Sequence, residues 1–233
     1  MDCPNQSLKV IERCRGIAGE LQLQRRGSEY EIIYNGVFLM ATYNGASERA
    51  AVREALQIIS ASEKGPIRVL LAGLGVGYSL QEALTWEQVS RVTVAEIEPA
   101  VIRWNRGVLR EVNGSALEDK RVVIDNRDFR EVLEETAETA LKYPDRKYRV
   151  IIVDTDNGSS WISIPGNVFF YSPEGLKFIE SCLHPGGVAC FWCSRREKEF
   201  EERLKDRFQT VRFQTVTEKT GQDGCYYLCL PSN

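Results

Sequence analysis

Histidine is almost missing from this chain: one residue, His184, among 233. That scarcity argues against a histidine-based catalytic triad or a histidine-rich metal centre, and the one histidine sits in a His184-Pro185-Gly186-Gly187 turn. Long apolar runs are missing as well, and nothing approaches the roughly 20 residues that a membrane span needs. The first residues, Met1-Asp2-Cys3-Pro4-Asn5, carry neither the basic start nor the apolar centre of a secretory signal. A cytoplasmic protein with no membrane partner is therefore expected. Charge of one sign is also lacking: 30 Lys+Arg against 33 Asp+Glu leave a formal net charge of -3, with a sequence pI of about 5.5. Such a balance argues against a general nucleic-acid binder. The seven cysteines are odd in number and read as reduced thiols, not a disulfide framework. Cys190 and Cys193 have metal-ligand spacing, but they fall in an expected strand, where residues three apart face opposite ways. No metal is expected.

What the chain does contain is enough apolar material, 43%, for one sizeable α/β core with a small appendage. Residues 1 to about 18 show weak helical character. From Leu21 the period changes to two, and Tyr30-Glu31-Ile32-Ile33-Tyr34, Asn35-Gly36 and Val37-Phe38-Leu39-Met40 spell a tight hairpin. Residues 1–46 are read as a segment with this small antiparallel unit, and 47–233 as a Rossmann-like nucleoside-binding domain. In the latter, strands at 67–71, 91–95, 121–124, 149–153 and 188–193 alternate with helical patterns, and two late strands close the chain. Ser47 is placed to cap the first helix. The fold class that follows is α/β, a doubly wound and mostly parallel sheet.

The candidate site lies where such a sheet binds ligands, at the carboxyl ends of its strands. Val69-Leu70-Leu71-Ala72 runs into Gly73, Gly75 and Gly77, and a helical pattern follows. Strand, glycine turn and helix in that order let backbone approach a nucleotide-like ligand closely. The spacing differs from the dinucleotide fingerprint, because the third glycine comes one residue early. The next strand ends in Glu96, about 20 residues on, where a carboxylate accepts hydrogen bonds from ribose hydroxyls. The alternative for Glu96 is a solvated charge. Asp128 is a candidate for accepting from an adenine amine; its alternative is a helix cap. Asp154 ends the fourth strand, where a carboxylate can take a proton from a nucleophile, the alternative being a turn cap. Trp161, in the long loop that follows, is either a pocket wall or a core anchor.

These residues together resemble the spermidine synthases, aminopropyltransferases built on the class I S-adenosylmethionine-dependent methyltransferase fold. Val94-Ala95-Glu96-Ile97-Glu98, Val150-Ile151-Ile152-Val153-Asp154 and Tyr171-Ser172-Pro173-Glu174-Gly175-Leu176 carry the likeness beside the glycine loop. The resemblance implies decarboxylated S-adenosylmethionine as co-substrate, with Glu96 on its ribose, Asp128 on its adenine and Asp154 deprotonating the attacking amine. It also implies a homodimer and an amine acceptor. The acceptor half departs from the family. Asp154-Thr155-Asp156-Asn157-Gly158 stands where Asp-Ser-Ser-Asp-Pro is usual, Leu39 replaces a Gln, and Ser47-Glu48-Arg49-Ala50-Ala51 replaces Asp-Glu-x-x-Tyr. Asp156, Asn157 and Tyr171 remain as substrate candidates. An S-adenosylmethionine-dependent methyltransferase and a non-catalytic nucleoside-binding protein stay open as alternatives.

Overall fold

The computed structural model describes residues 7–62 and 65–232. It opens with a four-stranded antiparallel sheet: β1 (Leu8–Arg15), β2 (Glu20–Arg26), β3 (Glu29–Tyr34) and β4 (Val37–Ala41), in that order. Between β3 and β4, Asn35 and Gly36 take φ of 49° and 76°, so the two-residue turn is of the kind that matches strand twist. β1 corrects the expectation of weak helix, as far as residues 8–15 are concerned; residues 1–6 lie outside the described part. Its period of two is hidden by a register irregularity between Val10 and Glu12, which puts Ile11 out of phase.

The main sheet has seven strands: β5 (Ile67–Ala72), β6 (Val89–Ala95), β7 (Val122–Asp125), β8 (Tyr148–Val153), β9 (Leu183–Cys193), β10 (Thr210–Thr217) and β11 (Asp223–Leu230). Their spatial order is β10-β11-β9-β8-β5-β6-β7. β5 to β9 pair in parallel, and β11 adds antiparallel to β9. Chain order runs outward from β5 through β6 to β7, then jumps back to β8 on the other side of β5. That reversal leaves a crevice at the carboxyl ends of β5 and β8, where an open sheet binds its ligand. β9 starts five residues before its expected Val188, because the Pro185-Gly186-Gly187 stretch is absorbed as a pairing irregularity against β8.

Helices cover both faces. Three lie on one side: α1 (Ala46–Ser62), α2 (Tyr78–Leu84) and α3 (Pro99–Arg106). On the other are α4 (Phe129–Lys142), α5 (Pro173–Ser181) and α6 (Lys198–Arg207). Alternation along β5 divides the two cores: Val69 and Leu71 pack with α1, while Leu70 and Ala72 pack with Phe129, Leu133 and Leu176. Leu21, Leu23, Ile32 and Tyr34 of the small sheet join the α1 core, so the two sheets share one apolar interior. Glu12 on β1 fastens the small sheet to α3, accepting from Trp104 Nε1 at 2.8 Å and pairing with Arg103. Cys190 and Cys193 fall in opposite cores, as their odd spacing on a strand requires.

Candidate active site

The glycine loop is shaped by what surrounds it. Gly73, Gly75 and Gly77 adopt φ of 93°, 52° and 88°, in the left-handed region that side chains rarely enter. A Cβ at Gly73 would stand 2.3 Å from the Asp154 carbonyl, so the ends of β5 and β8 touch only because that position is bare. A Cβ at Gly75 would stand 2.3 Å from Met40 Sδ, and Val76 N–H points at the same sulfur from 3.1 Å. Asn105 braces the loop from below by donating to Gly75 O at 2.8 Å, and Asn113 in turn donates to Asn105 O at 2.9 Å.

Glu96, just past β6, closes over the loop. Its Oε2 accepts from Leu74 N at 2.9 Å and its Oε1 from Glu98 N at 2.8 Å. Each oxygen keeps a second lone pair, and the residue borders a cavity with Gly73, Gly75, Ile97, Asp128 and Asp154. Burial pushes its carboxyl up to about 7, against the pull of the backbone amides. Glu98 is a further acid of this cavity. Its Oε1 accepts from Ile17 N at 2.7 Å and from Tyr34 OH at 3.1 Å, tying the small sheet to the cavity rim.

Asp128 caps α4, Oδ1 accepting from Arg130 N at 2.8 Å, and it also borders the cavity. The cap reading of Asp128 is met, and the same residue borders the cavity. Asp154 sits across the cavity with no hydrogen bond from its carboxyl group to any described residue. Burial raises its carboxyl well above the usual range, and the neighbouring Glu48 and Asp156 raise it further.

The other acceptor-side candidates divide. Asp156 is buried and saturated: it accepts from Ser163 N at 2.6 Å, Ser163 Oγ at 2.7 Å, Asn167 Nδ2 at 3.0 Å, Thr155 Oγ1 at 2.9 Å and Tyr171 OH at 3.3 Å. It anchors the 155–171 loop, and neither it nor Tyr171 borders the cavity of Glu96 and Asp154. Asn157 lies in an adjoining recess with Phe38, Glu48 and Trp192, which meets the first cavity at Leu39 and Met40. Trp161 borders neither space.

Trp192 is the lining residue that sequence reasoning passed over, and Glu48 was noted there only within an altered stretch. Trp192 Nε1 donates to Ser47 Oγ at 2.9 Å, and Ser47 Oγ donates to Glu48 Oε2 at 2.7 Å. Ser47 is thus not the helix cap that its position suggests. That task falls to Glu218, whose carboxylate accepts from Gly45, Ala46 and Ser47 N–H at 2.8–2.9 Å. Burial raises the Glu48 carboxyl, a trend opposed by the Ser47 hydroxyl. The one signal for Glu48 was its survival beside a changed neighbour; Trp192 carried none, being indistinguishable from a core strand residue.

Known proteins bear on this geometry. The model of the spermine/spermidine synthase domain matches residues 50–228. A polyamine aminopropyltransferase of Oceanobacillus iheyensis is 36% identical over 134 residues, covering 55% of this chain and 23% of that protein. One from Sulfolobus acidocaldarius is 29% identical over 126 residues, covering 54% and 38% respectively. The chain thus spans well under half the length of these curated relatives. Among solved structures, a spermidine synthase in complex with the transition-state analogue AdoDATO superposes with a TM-score of 0.74 at 16% identity, over 96% of this chain and 73% of that one. The spermidine synthase of Thermotoga maritima gives 0.72 at 17%, with the same coverage. These two establish the fold. With the family model spanning most of the chain, from α1 to β11, the protein belongs to the spermine/spermidine synthase domain family.

Proposed function

We propose that this protein transfers an aminopropyl group from decarboxylated S-adenosylmethionine to an amine acceptor. The observation that carries the reading is the Asp154 carboxyl group, which has no hydrogen-bond partner among the described residues and faces the same cavity as Glu96 and the glycine loop. Glu96 has lone pairs left for two ribose hydroxyls, and Asp128 stands beside it for the base. Asp154 faces the reacting end. A neutral amine attacks the carbon next to the sulfonium, the C–N bond forms as the C–S bond breaks, and methylthioadenosine leaves as a neutral thioether. The proton shed by the nitrogen goes to Asp154. A carboxyl group held high by burial suits that task better than an ordinary one, because its proton affinity is nearer that of the amine. The rest of the catalysis is positioning in a water-poor cleft.

On this reading the recess of Glu48, Asn157 and Trp192 takes the acceptor. The homodimer and cytoplasmic location implied by family resemblance belong to the same proposal. Parallel calorimetric titration with decarboxylated S-adenosylmethionine, S-adenosylmethionine and methylthioadenosine tests it. Tighter binding of the decarboxylated form, followed by amine-dependent release of methylthioadenosine, is the expected result. A preference for the carboxylated form would move the assignment to methyl transfer, and binding of none would remove the glycine loop from any nucleoside site.

A further inference from the structure

A second cavity, of about 310 Å³, opens at the far end of the same strands. Gly73 and Glu96 follow the carboxyl ends of β5 and β6, whereas Arg68 and Arg91 lie near the beginnings of those strands. Arg68 and Arg91 are register partners in the parallel pairing and line one recess beneath α4, with Thr93 beside them. Neighbouring strands lie about 4.8 Å apart, so two guanidinium stems rise side by side. Like charges in that arrangement repel.

Nothing in the recess compensates them. Arg146 reaches it from the turn after α4, and among the described residues neither it nor Arg68 nor Arg91 has a carboxylate partner. The two acids of the lining, Asp125 and Glu135, are both spent on Arg127, which donates to them at 2.5–2.7 Å. Arg68 is fixed by stacking on the Tyr148 ring, 5.1 Å from its centroid, and its Nε is buried with no acceptor. Tyr148 OH donates to Thr93 Oγ1 at 3.2 Å, which leaves the Thr93 proton to be given away. The recess therefore offers donors and positive charge, and both of its carboxylates are engaged by Arg127.

We propose that this recess is a binding site for a phosphate-bearing small molecule, held by Arg68, Arg91 and Arg146. A planar guanidinium presents paired N–H groups that match phosphate oxygens two at a time, and three of them suit a ligand with more than one negative charge. Arg91, Arg146 and Tyr143 are exposed at the mouth, so the site is open to solvent. It stands independently of the aminopropyl-transfer reading, since no residue of the first cavity lines it.

The test is calorimetric titration of the full chain with pyrophosphate, inorganic phosphate and ADP, against sodium chloride at matched ionic strength. Saturable binding of pyrophosphate at one per chain is expected. It should weaken about tenfold or more in Arg91→Gln and vanish in Arg91→Gln/Arg146→Gln, while methylthioadenosine binding in those variants stays at the wild-type value. Equal affinity for ADP and pyrophosphate would mean that the phosphates alone are read; tighter ADP binding, lost in the double variant, would assign the site to a nucleotide. Absence of saturable binding beyond the chloride control, or binding that the double variant retains, would overturn the proposal.

Discussion

The two halves into which the proposed function divides the first site are built on different principles. The proposed nucleoside half takes its glycine loop and its two glutamates from one stretch, Gly73 to Glu98, with Asp128 added from the start of α4, and much of the loop's shape is backbone. The proposed acceptor half is gathered from Phe38 to Met40, Asn44 to Glu48, Asn157, Trp192 with Ser194, and Glu218 to Gly224, five segments brought together by sheet order. A wall made of backbone amides and positive-φ glycines tolerates little drift, because each substitution meets a strained φ or an atom at contact distance. A wall made of side chains can be rewritten one residue at a time while the fold stands. The family resemblance, close in the first half and altered in the second, fits that difference.

Four experiments would sharpen or break this contrast. The largest effect is expected from Asp154→Asn, which should lower turnover by about 10²–10⁴-fold and leave methylthioadenosine affinity within about twofold. Release of methylthioadenosine read beside calorimetry separates the two quantities; a parallel loss of both would place Asp154 in the nucleoside half. Glu96→Gln should do the reverse, weakening nucleoside binding by about 1–3 kcal/mol through loss of charged hydrogen bonds, with the acceptor KM unmoved.

The third prediction uses pH. Burial holds the Glu96 carboxyl at about 7, above its ordinary 4.5, so folding favours its protonated form. Its contribution to stability is therefore full below about 4.5 and declines as pH rises through about 7. Ribose hydroxyls prefer the ionised form, so nucleoside affinity should run the other way, rising about tenfold between about pH 6 and about pH 8. A flat profile would mean that Glu96 stays ionised or stays out of the contact. The smallest effect concerns Glu218→Ala, which removes three acceptors from the start of α1. Denaturant unfolding should show a loss of about 1–2 kcal/mol, with the acceptor KM raised and nucleoside binding intact. If nucleoside binding falls equally, the halves are not separable.

Legibility from sequence follows the same division. The strand–glycine–helix unit, the acids at strand ends and the alternation of elements all impose local patterns, and the fold could be read from them. The Asn35-Gly36 turn, and Pro173 behind its Ser172 cap, were equally plain, because turn and cap chemistry is short-range. β1 was hidden because a bulge breaks the alternation on which strand reading depends. Asp156 illustrates a different limit. Its acidic character and its place two residues after Asp154 suggest a substrate contact, but only the folded loop shows its oxygens taken by Ser163, Asn167, Thr155 and Tyr171. The capping of α1 by a residue 171 positions away from Ser47 has no local trace at all.

That distant cap has a consequence for the order in which the molecule is completed. During synthesis the glycine loop, Glu96 and Asp128 emerge well before Glu218, and β9, which carries Trp192, also precedes it. The start of α1, where Ser47 and Glu48 stand, stays without its carboxylate partner until the β10–β11 hairpin has left the ribosome. The recess that holds Ser47, Glu48 and Trp192 is therefore among the last parts of the molecule to be completed.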